Sequence, residues 1–257
     1  MSGRMNDGQN FRHRILVLGG TGEAVALTTE ANARFEIVYS LAGRTKNPAL
    51  PEGVTIRTGG FGGADALAAW IGENDIAAVI DATHPFADRI AANAEQACTG
   101  VNVPRLKLLR AAWEKTAGDV WHDVHDIAAA ASLLPTFGKR AFLSVGRQEL
   151  GAFSDVNGVA LVIRSIDPPD AADHLTGATY ITGRGPFTTA QEAALLRDHN
   201  IDVLVSKNAG GAATYPKIAA ARAASMPVIM IERPSPPPSP IVSDVAAAVA
   251  WLERLTR

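Results

Sequence analysis

Short aliphatic and β-branched runs alternate with Ala- and Leu-rich stretches from one end of the chain to the other. The apolar runs predict strands over residues 14–18, 35–41, 54–57, 77–81 and 105–109. A second series follows over 120–124, 140–144, 159–164, 180–182, 203–206 and 228–231. Between them the pattern predicts helices over 23–33, 64–74, 85–99, 126–133, 186–199 and 215–225. Ser243 and Asp244 read as the cap and first turn of a last helix ending near Leu255. Such alternation implies an α/β architecture of parallel strands joined by helical crossovers.

Eleven strands are many for one doubly wound sheet, and the polar, Gly-containing stretch 115–119 is the natural place to divide them. The expectation is two Rossmann-like lobes with parallel sheets and a cleft between them, residues 1–117 and 118–257, the final helix over 243–255 being able to pack back on the first lobe. Segment 234–240, Pro-Ser-Pro-Pro-Pro-Ser-Pro, has too few N–H groups for helix or sheet and should be a stiff extended connector.

Composition narrows the class. The 257 residues are 47% hydrophobic and 19% charged, ordinary for a packed globular protein. A formal net charge of -2 offers no basic excess for nucleic acid, so charge-based recognition must be local. No apolar run approaches the roughly 18 residues of a membrane span, and residues 1–14 lack the apolar stretch of a secretory signal. The single cysteine, Cys98, excludes an internal disulfide and a thiolate metal cluster. A cytoplasmic protein without membrane or nucleic-acid partners is expected.

The first strand runs into Gly19-Gly20-Thr21-Gly22-Glu23-Ala24, a glycine turn that opens a helix. Such a turn aims backbone N–H groups and the positive helix end at a phosphate. Its spacing is neither Gly-x-Gly-x-x-Gly nor a Walker loop, so a tight turn without ligand is the competing reading. Where NAD-binding proteins place an acid for the ribose 2′-hydroxyl, this chain has Ala42-Gly43-Arg44-Thr45. Arg44, with Thr45 and Lys46 beside it, suits a 2′-phosphate and favours NADPH; the alternative is a solvated loop arginine. Gly60, in a Gly-rich loop after the third strand, offers backbone that can pass close to the cofactor.

Ligands of open α/β sheets bind beyond the carboxyl ends of the strands. Asp81, Ala82 and Thr83, at the end of the fourth strand, therefore join the cofactor set, and His84 is a catalytic candidate whose alternative is a structural role. Strand ends of the second lobe bring Arg147, Arg164, Arg184, Lys207 and Arg233 to one edge. Five cations there in a near-neutral protein predict a polyanionic ligand, the bland reading being ordinary charged loops. Ser144, Arg147, Gln148, Arg184, Gly185, Asn208, Gly210, Thr214 and Lys217 are substrate-binding candidates, with Thr214 alternatively a helix cap. Lys207 is a candidate for charge pairing or proton transfer.

Other chemistries find little support. His122, Asp123, His125 and Asp126 point different ways on an extended segment, and Asp126 makes an ordinary N-cap, so no metal is expected. Gly-x-Ser-x-Gly is absent, as is the Tyr-x-x-x-Lys of short-chain dehydrogenases.

Taken in order, Leu-Gly-Gly-Thr-x-Glu-Ala at 18–24, Asp-Ala-Thr-His-Pro-Phe-Ala at 81–87, Gly-Arg-Gln at 146–148, Arg-Gly-Pro-Phe at 184–187, Ser-Lys-Asn-x-Gly-Gly at 206–211 and Ile-Glu-Arg-Pro at 231–234 resemble the precorrin-6A reductase family of cobalamin biosynthesis. The resemblance runs from Ile15 to Leu255. It implies an NADPH-dependent oxidoreductase that saturates one carbon–carbon double bond of a ring-contracted tetrapyrrole, metal-free or cobalt-loaded, giving precorrin-6B (dihydro-precorrin-6). A small-molecule polycarboxylate substrate agrees with the cations found independently, and transient contact with neighbouring pathway enzymes is compatible. Under the resemblance Gly19, Gly20, Thr21 and Glu23 meet the pyrophosphate and nearby groups, and Arg44 and Thr45 the 2′-phosphate. No residue stands out as the proton donor. Two other classes fit the motifs: an NADP-dependent reductase or epimerase of a smaller anion, and a non-catalytic NADP-sensing protein.

Overall fold

The computed structural model describes residues 12–43, 48–166 and 174–255. In chain order the elements are β1 (Arg14–Leu18), α1 (Gly22–Ala31), β2 (Glu36–Leu41), β3 (Thr55–Thr58), α2 (Ala64–Glu73), β4 (Ile76–Asp81), α3 (Asp88–Gly100) and β5 (Arg105–Leu108). Then come β6 (Val120–Val124), α4 (Ile127–Leu133), β7 (Arg140–Ser144), β8 (Ala160–Ser165), β9 (Thr179–Thr182), α5 (Thr189–Asp198), β10 (Val203–Lys207), α6 (Pro216–Ala223) and β11 (Pro227–Ile231). The chain closes with β12 (Ile241–Val242) and α7 (Val245–Leu255). Two units result, one made of Met1–Leu109 and Pro236–Arg257, the other of Arg110–Ser235.

The first unit is a parallel sheet ordered β12-β5-β4-β1-β2-β3. Its strands are apolar on both faces because both are covered. Ile15 and Val17 pack with Leu27 of α1 and Ala248, Val249 and Leu252 of α7. The alternate residues Leu16 and Leu18 pack with Leu67 and Ile71 of α2 and Ala94, Ala97 and Cys98 of α3. The order is that of a dinucleotide-binding fold, 3-2-1-4-5-6, with the sixth strand delivered only after the whole second unit.

The second unit is a parallel sheet ordered β6-β11-β10-β7-β8-β9. Phe142, Val162, Leu204 and Met230 pack with Leu196 of α5 and Ile218 and Ala221 of α6. Here the outer place beyond β11 goes to the unit's own first strand. The two Rossmann-like α/β lobes expected from the sequence are thus present, each with six strands.

The division falls after Leu109, not after residue 117. Trp113 packs in the second core, and Arg110 Nε donates to the Ala209 and Gly210 carbonyls at 2.8 and 3.1 Å, so residues 110–117 belong with the second sheet. Residues 236–257 belong wholly to the first unit. Lys107 N donates to Pro240 O and Leu109 N to Val242 O, so β12 follows directly on the Pro-rich connector 234–240 and pairs with β5. Asp244 caps α7, its carboxylate accepting from Ala247 N at 2.8 Å. The helix predicted from Pro186 begins at Thr189 because Thr188 and Gln191 form a capping box. Thr214 is exposed and does not cap α6, whose N-cap Tyr215 makes no side-chain cap.

Leu252 is fully buried in the first core although some 140 residues separate α7 from β5 in sequence. Leu252→Ala is expected to lower unfolding free energy by about 2–5 kcal/mol. Chemical denaturation checks this, and a loss under about 0.5 kcal/mol would detach α7 from the first core.

Candidate functional sites

At the carboxyl end of β1, the turn into α1 is shaped by a tyrosine. Gly19 N donates to Ser40 O at 2.9 Å, and a methyl at Gly19 would overlap the Tyr39 ring. Tyr39 is completely buried, and its hydroxyl accepts from Gly20 N at 3.1 Å. Burial pushes the Tyr39 phenol up, the Gly20 hydrogen bond opposing it. Gly20 has φ +110°, which glycine tolerates best. Thr21 Oγ1 accepts from Ala24 N at 3.1 Å as the N-cap of α1 and donates to Ala82 O at 2.8 Å, tying this turn to the loop after β4. Glu23 stands in the first turn of α1, half-buried. Nothing lies within 4 Å of a Cβ built on Gly22. The turn therefore has the tight backbone and open helix end that a pyrophosphate needs.

Asp81 and Thr83 form the second part. Asp81 is 0% exposed, and its Oδ1 accepts from Lys107 Nζ at 2.9 Å, Thr83 Oγ1 at 2.7 Å and Thr83 N at 3.1 Å. Arg105 Nη1 lies 3.9 Å from Oδ2. The expectation that Asp81 itself touches the cofactor is corrected: its carboxylate is buried against two cations and instead fixes the loop that carries Thr83 and His84. Ala82 is buried, its N–H donating to Leu18 O at 3.0 Å, so its side chain is core while its carbonyl receives Thr21. His84 is exposed, and its Nδ1 accepts from Phe86 N at 3.3 Å.

Ala42 and Gly43 are exposed at the end of β2, whereas Arg44, Thr45 and Lys46 lie outside the described residues. A cation that sequence reasoning missed stands on β3, in register with the end of β2. Arg57, paired in register with Ser40, lays its guanidinium 3.6 Å from the centre of the Phe61 ring. It donates to Gly59 O at 2.6 Å and to Gly60 O at 3.0 Å. No carboxylate pairs with it among the described residues, and burial lowers its pKa. An Arg-x-Gly-Gly-Phe run at a strand end was the available signal.

The second unit's carboxyl edge is less uniformly cationic than its sequence suggests. Arg164 makes a two-pronged pair with the buried Glu192, at 3.0 and 2.8 Å. Lys207 pairs with Glu149, whose other oxygen accepts from Gly146 N at 2.6 Å. Arg233 donates to the Arg110 and Ala209 carbonyls at 2.7 and 3.0 Å. Arg184 and Gly185 are exposed, Arg147 and Ser144 half-buried and Gln148 exposed.

Asn208 and Gly210 are corrected from substrate contacts to structural ones. The Asn208 amide accepts from Trp113 N at 2.8 Å and donates to Trp113 O at 3.0 Å, which engages both of its ends. A methyl on Gly210 would overlap Ala111 O, so that glycine serves the close approach of two backbone segments. Lys217 sits 5% exposed with its Nζ 5.4 Å from the centre of the Trp113 ring.

Comparison with known proteins places the fold in one family. The family model of the precorrin-6x reductases CbiJ/CobK matches residues 14–253. A precorrin-6A reductase of Rhodococcus erythropolis is 49% identical, over 95% of this chain and 99% of its own. A cobalt-precorrin-6A reductase of Priestia megaterium is 27% identical, over 86% and 90%. The solved structure of CobK precorrin-6A reductase superposes with a TM-score of 0.89 at 40% identity, covering 95% of this chain and 97% of its own. With the family model spanning nearly all of both sheets and a solved member 40% identical over 95% of the chain, the chain belongs to the precorrin-6x reductase family.

Proposed function

We propose that this reductase catalyses the NADPH-dependent reduction of one carbon–carbon double bond of precorrin-6A, giving precorrin-6B (dihydro-precorrin-6) in cytoplasmic cobalamin biosynthesis. The cofactor reading is carried by Arg57, a half-buried guanidinium beside the end of β2 that has no carboxylate partner among the described residues. A burial-stressed cation at the place where an NAD-binding sheet would keep an acid is suited to a 2′-phosphate. Arg44 and Thr45 are assigned to the same phosphate from the sequence. The metal-free macrocycle is favoured because the similarity to the Rhodococcus relative, 49%, far exceeds that to the cobalt-named one, 27%.

NADPH, when bound, supplies the hydride. The chain's own residues do the rest by positioning. Gly19 and Gly20, backed by Tyr39, hold the turn open to the pyrophosphate, with Thr21 keeping the α1 amino terminus aligned to it and Glu23 on the same first turn. Ala42, Gly43 and Gly60 provide backbone along the adenosine half. Thr83, fixed by Asp81, and the exposed His84 line the reacting end. Ser144, Arg147, Gln148, Arg184, Gly185, Thr214 and Lys217 engage the substrate's carboxylates, and Lys207, held by Glu149, is assigned to proton transfer.

Anaerobic incubation of the purified protein with precorrin-6A is expected to couple NADPH oxidation to a change in the macrocycle spectrum, with NADH much slower. NADPH consumption with no spectral change of the macrocycle would refute the proposed reaction. Arg57→Gln is expected to weaken NADPH binding by about 1.5–3 kcal/mol, roughly 10- to 150-fold, and NADH binding little. Calorimetric titration with both nucleotides decides it, since equal weakening of the two would make Arg57 a loop fastener only. Gly19→Ala forces the Tyr39 ring out of place, and loss of binding for both nucleotides is the expected outcome.

A further inference from the structure

One cation at the carboxyl edge of the second sheet is not neutralised by its surroundings. Lys217, in the first turn of α6, is 5% exposed, yet its ammonium forms no hydrogen bond or ion pair among the described residues. Its contact is the face of Trp113, 5.4 Å away. The charged groups facing it are Arg164 from the end of β8, Arg110 from the segment before β6 and Glu192 from α5. Glu192, the one carboxylate of that set, is held two-pronged by Arg164.

The helix end adds to the imbalance. Tyr215 gives α6 no side-chain cap, Pro216 has no N–H, and Ile218 N donates back to Tyr215 O at 2.8 Å. The Lys217 N–H finds no backbone acceptor among the described residues. A buried lysine thus belongs to the first turn of a helix, and its ammonium feels the repulsion of Arg164 and Arg110, an arrangement unfavourable in each respect for the ligand-free chain. Burial, with Arg164 and Arg110 reinforcing it and Glu192 opposing, pulls the Lys217 pKa down to about 8.

An anion at this point relieves all of these strains together. Its charge would offset the ammonium and the helix end, and its oxygens would accept from Nζ and the free N–H. The single ammonium and the aromatic wall of Trp113 suit a compact monoanion on an apolar stem, which describes a carboxylate arm. We infer that Lys217 and the amino terminus of α6 form a buried receptor for one carboxylate arm of the substrate, walled by Trp113. This rests on the functional reading above, and it separates Lys217 from the other cations of this edge: Arg164, Lys207 and Arg233 already have internal partners.

Lys217→Met tests it, because the apolar chain of similar length removes only the charge. The KM for precorrin-6A is expected to rise at least about tenfold, with the KM for NADPH unchanged. The Tm of the ligand-free variant should stay equal or rise. Lys217 holds a pKa near 8 in the fold against 10.5 for the free side chain, so below pH 8 the charged form opposes folding and its removal relieves the chain. In the wild type the KM for precorrin-6A should climb as pH passes about 8, where the ammonium loses its proton, and Lys217→Met should lack that climb. Lys217→Gln, neutral but able to donate, should show the same KM shift, so the result does not hang on one variant's folding. An unchanged KM for precorrin-6A, or a lowered Tm with both KM values raised, overturns the receptor and leaves the reductase reading standing. Absence of precorrin-6A turnover by the wild type overturns both.

Discussion

A carboxylate with no access to water is the constraint on which the first unit turns. Asp81 closes β4, the strand beside β1 at the point where the strand order reverses, and it is buried completely. A buried charge of this kind persists only if paired and hydrogen-bonded. Lys107, opposite it in register on β5, meets that need at Oδ1, to which Thr83 also donates, while Oδ2 has no hydrogen-bond partner among the described residues and faces Arg105 Nη1 at 3.9 Å. The same Lys107 residue receives β12 through its backbone N–H, and Arg105 donates to Pro238 O at 3.1 Å. One ion pair therefore joins the loop bearing Thr83 and His84 to the strand on which the carboxy-terminal segment docks.

The two units repeat one strand order but fill its outermost place differently. In the first unit that place is taken by the last strand of the chain, in the second by the unit's own first strand. The second unit is in effect inserted between the fifth and sixth strands of a sheet with the strand order of dinucleotide-binding folds. Ligand chemistry at the carboxyl ends differs correspondingly. The first unit presents a glycine turn and Arg57, whereas the second presents cations, most of them already held by Glu149, Glu192 or backbone carbonyls. Counting charges along an edge overestimates what a ligand meets, because a folded chain satisfies many of its own cations first.

How much of this was legible depended on the range of each interaction. Strands such as β1 and β7 coincide with the apolar runs that predict them, since burial on both faces leaves an uninterrupted signal. The glycine turn at 19–22 was readable because its geometry is local. Helix starts were misplaced wherever proline was favoured over a cap, as at Pro186 against Thr188. The Tyr39 ring beneath Gly19 had no local signal, since the two residues meet only through pairing of β1 with β2. Lys107 and Arg105 alternate with leucines as on a half-exposed strand, yet both are buried. Asn208 and Gly210 had the composition of a ligand loop and proved to hold residues 111–113 instead.

The sequence by itself determined the class of the protein: parallel α/β lobes, a glycine turn at the first strand, no acid at the end of the second, and motifs in the order of one reductase family. These follow from periodicity and from residue chemistry within a few positions of each other. Tertiary structure alone decided where the lobes divide, that the carboxy-terminal segment completes the first sheet, which cations are engaged, and that Asp81 is buried against Lys107 and Thr83. Each of those depends on contacts between residues distant in sequence, where packing and charge compensation, not local propensity, choose the partner.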